Sequence, residues 1–87
     1  MPYIPQKDRP RIDRAVKVLL HRIVGKGELN YTITRLLLMY VERAGVRYDT
    51  LVDIHGTLSC VDKELYRRLT AVYEDQKIES NGDVLLE

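Results

Sequence analysis

The run TLVDIHGTLSCVDKELYRRLTAVYEDQKIESNGDV, Thr50 to Val84, decides how this chain folds. Leu51, Ile54, Leu58, Val61, Leu65, Leu69 and Val72 step along it by three and four, close to a heptad seam. From Thr50 to Tyr73 such a helix is about 36 Å long at 1.5 Å per residue. Two readings compete for its end. In one the helix runs on to about Ser80 and stops at Asn81 or Gly82, with Val84 folding back on the last turn. In the other Asn81-Gly82 turns a hairpin that pairs Ile78 with Leu85 and Glu79 with Val84. A lone two-stranded hairpin is marginal in water, so the cap is preferred. Glu74 and Asp75 oppose a helix end at Tyr73, and Lys77 suits one farther on.

Working back from this helix, Gly45 closes a second one that starts at GELNYTIT, with Glu28 against its positive end. Its stripe is Leu29, Ile33, Leu36, Leu37, Tyr40 and Ala44, but LLLMYV, Leu36 to Val41, is apolar on every side. A helix of that kind in a small domain must be covered on more than one face. A first helix follows Asp8, an N-cap candidate, with Pro10 in its first turn. Ile12, Ala15, Val16, Leu19, Leu20 and Ile23 form its stripe, and Gly25 and Gly27 end it. The sequence therefore predicts one all-α domain, three helices in an up-down-up arrangement. Residues 1–7 form an extended arm, 8–24, 28–44 and 49–79 the helices, and 80–87 a cap and tail. A kink near 73 is open. The long third helix overhangs the other two, and an overhanging apolar seam needs a partner, so a helical-bundle homodimer is the expected assembly.

Composition narrows the function classes. The 87 residues hold 14 basic and 13 acidic side chains, a net charge of +1, which supplies no global attraction for nucleic acid or an acidic membrane surface. Trp and Phe are absent, so six tyrosines supply all aromatic burial. The single cysteine, Cys60, excludes an intrachain disulfide and a thiolate metal cluster, and a reducing, cytoplasmic setting is expected. The opening MPYIPQKDRPR has no apolar signal core, and no run approaches a membrane span.

Motifs that carry chemistry are scarce. No Gly-rich phosphate loop, Gly-x-Ser-x-Gly or His-Glu-x-x-His is present, and no cofactor is expected. Glu74, Asp75 and Asp83 lack the alternating spacing of a calcium loop. His55 and Cys60 stand five apart, where helical ligand pairs need three or four. Glu64 and Arg68 are spaced for a surface ion pair. Two surfaces remain as candidates. One is a polar cluster of Glu28, Asn30, Tyr31, Arg67, Tyr73, Glu74, Asp75 and Lys77, joined if the second helix's start packs near the third's end; it would serve fold specification or an unidentified protein partner. The other is a phosphate-binding patch of Arg9, Arg11, Arg14, Arg67 and Arg68. The leading function is thus a non-enzymatic, homodimeric interaction module. A nucleic-acid-associated regulator is the alternative, and a metal-dependent hydrolase using Glu74 and Asp75 is third.

The stretches GELNYTITRLLL, ELYRR and YEDQKIESNGDV, with the MPYIP start, resemble a family of short proteins of unknown function from bacteria, archaea and phages. The resemblance spans nearly the whole chain and implies a prokaryote- or virus-associated cytoplasmic protein, with no activity, cofactor or partner attached. Members often place proline just before Tyr-Glu-Asp, where this chain has Val72. A proline there would kink the long helix.

Overall fold

Helix starts and stops set the shape. In the computed structural model, which describes residues 1–85, a 3-10 turn at Gln6–Asp8 leads into α1, Arg9–Leu20. Then follow α2, Gly25–Ala44, and α3, Tyr48–Leu65; a π-helical turn, Tyr66–Thr70, joins α3 to α4, Ala71–Asn81. The residues at both junctions keep right-handed helical angles, so α3, the π-turn and α4 make one rod. Its 34 positions at 1.5 Å each span about 51 Å, which matches the molecule's longest dimension of 52 Å. The class is all-α, three helical rods with no strand among the described residues.

The ends differ in detail from expectation. Asp8 lies inside the 3-10 turn with helical angles and makes no side-chain cap. Helix α1 stops at Leu20, not near 24, and the chain leaves through short-range bonds from Arg22 N–H to Leu19 O and Ile23 N–H to Leu20 O. Helix α2 begins at Gly25, three residues before Glu28. Gly25 has φ +77°, and the Glu28 carboxylate reaches back to accept the Val24 N–H at 2.8 Å. The acid thereby satisfies a backbone donor at the helix start, reaching back four residues, one more than in a capping box. Gly45, at φ +103°, ends α2 with its N–H bonded to Val41 O at 2.7 Å. At the far end Ile78 and Glu79 are helical, which removes the hairpin reading. Gly82, at φ +91°, donates its N–H to Ile78 O at 2.8 Å and stops α4. Val84 does not fold back on the last turn, being 90% exposed. Leu86 and Glu87, the end of the expected tail, lie outside the described residues.

Packing between the rods is confined to one corner. Helices α2 and α3 meet where Val41 and Thr50 are buried and Leu37 and Ile54 half-buried. Among the described residues no side chain is completely enclosed. The exposed surface is 8302 Å², where a folded monomer of this mass keeps about 5,300 Å². The radius of gyration is 17.2 Å, against about 12 Å for a compact domain of this length. The three helices therefore share no common core. The apolar stripes of α1, of the outer side of α2 and of the second half of α3 all face outward.

Candidate functional site

The polar groups gather where the N-terminal arm meets the π-turn. The Tyr3 hydroxyl donates to the Glu64 carboxylate near the end of α3. Arg67, three residues on, donates through Nη2 to the same Glu64 Oε1 at 2.7 Å and to the Tyr3 oxygen at 3.2 Å. Arg9 Nε donates to Ile4 O at 3.0 Å. The arm is thus fastened at adjacent residues, Tyr3 to the rod and Ile4 to α1. Between arm and rod lies an open hollow of about 230 Å³ lined by Met1, Pro2, Cys60, Lys63, Glu64 and Arg67.

Electrostatics follow from these contacts. The Tyr3 hydrogen bond, and after it Arg67, hold the Glu64 carboxyl below its ordinary value by favouring the charged form. The same carboxylate raises the Arg67 guanidinium further above its usual value. On the other side of the π-turn the Tyr66 hydroxyl donates to Glu74 Oε2 at 2.9 Å. That bond and the Glu74 charge push the phenol above its ordinary value, because ionisation would place two anions together. One turn farther, the Lys77 ammonium sits 5.4 Å from the Tyr73 ring centroid.

The residues singled out by sequence fall into separate groups. Arg67 belongs to the arm junction, Glu74 to the Tyr66 pair, and Tyr73 with Lys77 to a cation–aromatic pair. Glu28 closes the start of α2, and Asn30 accepts from the Thr34 hydroxyl one turn on. Within one chain α2 approaches α3 but neither the π-turn nor α4, so no hydrogen bond joins Glu28, Asn30 or Tyr31 to the groups near Glu74 and Asp75. Of the arginines, Arg9 bonds to the arm at Ile4 and Arg67 at Tyr3, while Arg11, Arg14 and Arg68 take no part in these bonds; of the five only Arg9 is half-buried. Glu64 pairs with Arg67 and not with Arg68. Among the described residues no three His, Cys, Asp or Glu side chains group as metal ligands would.

Sequence reasoning missed Tyr3, Glu64 and Tyr66 as the hubs. One signal was present. The seam steps 3, 4, 3, 4, 4, 3, and the doubled four at Val61–Leu65–Leu69 falls where the π-turn takes up its extra residue.

The arm closes on the rod through residues 61 apart in the sequence, and one family model spans both. It matches residues 1–84, from the arm through the end of α4, and is described as Domain of unknown function (DUF6899). The chain belongs to this family. No curated protein and no solved structure matches it. In this DUF6899 domain the Tyr3 contact and the Gly82 stop both lie inside the matched extent. No helix among its described residues is long and apolar enough to cross a membrane.

Proposed function

We propose that this DUF6899 domain is a non-enzymatic helical interaction module that acts as a homodimer in a reducing, cytoplasmic setting. The observation that carries the reading is the surface left open. About 3,000 Å² more is exposed per chain than a monomer of this mass keeps. Two copies covering that excess would bury about 6,000 Å² in total, the scale of obligate interfaces built like a core cut in half. The polar chemistry supports the same reading. Glu64, Arg67 and Glu74 spend their charged groups tying the chain to itself. A hydrolase using Glu74 and Asp75 has less support, because Glu74 Oε2 is held by Tyr66. A further protein partner would meet the exposed polar ends of the assembly.

Sedimentation equilibrium at micromolar concentration tests the assembly. The expected mass is twice 10.1 kDa. A single species of 10.1 kDa overturns the reading.

The alternative, nucleic-acid association, draws support from the arm, which bonds at one residue to Arg9 and at the next to Arg67 in the middle of the rod. It predicts binding to a short duplex that falls steeply as salt rises. A response flat in salt removes it.

A further inference from the structure

Helix α2 carries two apolar faces, and only one has a neighbour. Leu37, Val41 and Ala44 step by four and three on the side that meets α3, where Val41 is buried. Leu29, Ile33, Leu36, Tyr40 and Arg43 step by four, three, four and three along another side, the period of a helix-pairing seam. This second face is open, with Leu36 at its middle 62% exposed. Leu36, Met39, Tyr40 and Arg43 line a hollow of about 320 Å³ there. Through Leu36 and Met39 it adjoins a second of about 260 Å³, edged by Leu19 of α1 with Tyr31 and Arg35.

We propose that the α2 helix of a second copy of this chain lies antiparallel along this face, with the two-fold axis at Leu36. The inference rests on the homodimer reading above and names its interface. The first argument is area, since a second copy must cover a surface of this size and the second face of α2 is a continuous exposed apolar part of it. The second is register. Residues that meet across an antiparallel two-fold at position 36 have numbers summing to 72, so Leu29 meets Arg43, Ile33 meets Met39, and Leu36 meets itself. Apolar residues then fill the centre with Arg35 at its flank, while Arg43 and Glu28 fall at the two ends.

The third argument is charge. The Arg43 guanidinium stacks over the Tyr40 ring at 5.5 Å and has no carboxylate within ion-pair distance among the described residues. Glu28 uses Oε1 on Val24 N–H, which leaves Oε2 for another donor. The antiparallel register sets each Arg43 beside Glu28 of the other copy. A parallel pair would set Arg43 against Arg43 and Glu28 against Glu28, like charges at both ends.

Cysteine cross-linking of the full chain tests the geometry. In a Cys60→Ser background, Leu36→Cys is expected to link the two copies under mild oxidation or with a short bis-maleimide. Leu38→Cys, which points elsewhere around the helix, is expected not to. In the same full chain Arg43→Glu is expected to weaken dimerisation about tenfold by facing Glu28, and adding Glu28→Arg to restore it. If the unaltered protein sediments as a dimer but Leu36→Cys does not cross-link, this interface is wrong and the dimer stands. If the unaltered protein is a monomer, both fail together.

Discussion

Glu64 is the carboxylate that ties the N-terminal arm to the rod. Its carboxylate takes the Tyr3 hydroxyl and the Arg67 guanidinium at once. Because its folded value lies below the ordinary 4.5, the contribution is fully present above that value. It is lost as pH falls through the lower, folded one. Amide exchange at Ile4, whose N–H bonds to Pro2 O at 3.0 Å, is therefore expected to be slower near neutrality and to speed up in acid relative to its intrinsic rate. Glu64→Gln should abolish that pH dependence; an unchanged acid transition in the variant would place the release elsewhere. Tyr66 behaves in the opposite sense. Its value is raised above 10.0, chiefly by the Glu74 hydrogen bond, so its contribution is present below 10.0 and disappears as pH climbs through the raised value. Replacing Glu74 with Gln is expected to bring one tyrosine's phenolate titration, followed by ultraviolet absorbance, back toward 10.0.

At the scale of elements, positive-φ glycines and a π-turn divide the chain. Gly45 ends α2 at φ +103°, and a Cβ there would meet only Arg47 Nε at 3.7 Å, an ordinary contact. The expected penalty of Gly45→Ala is thus backbone strain alone, about 1 kcal/mol or somewhat more, read from denaturant unfolding. A neutral substitution would mean that the α2–α3 link can take another path. Gly45 and Gly82 were legible as stops because a residue free to adopt positive φ after an apolar run is a familiar helix end. The starts were less legible. Val24 is an unremarkable residue to precede a helix, and only the Glu28 side chain folding back on its N–H moves the start of α2 to Gly25. The sequence leaves a kink near 73 open; the irregularity lies at Tyr66–Thr70, and Val72 sits within regular α4. Seven apolar positions implied one helix, and their doubled step of four had to be read as a change of pitch to find the π-turn.

For the whole molecule, folding and association should be one event. A rod about 51 Å long with outward apolar faces, touching the rest of the chain at a corner and an arm, has little to hold it as a monomer. Stability is then expected to rise by about 1.4 kcal/mol for each tenfold increase in concentration, seen as a melting temperature that climbs with dilution reversed. A melting temperature independent of concentration over two decades would show that the single chain carries its own stability.

The sequence by itself determined the helical class, the number of rods and the surplus apolar face of α2, because each follows from local spacing: periods of three and four, and glycines at the stops. It could not join Tyr3 to Glu64, which are 61 residues apart. Nor could it keep Glu28 from Glu74: it set them on different helices free to meet, and only the path of the backbone holds the start of α2 away from the π-turn and α4. Tertiary structure decided that the rods meet at one corner instead of closing on a core. The physical reason is that apolar period states which face must be covered, while the direction in which each helix leaves its turn states whether the same chain can cover it.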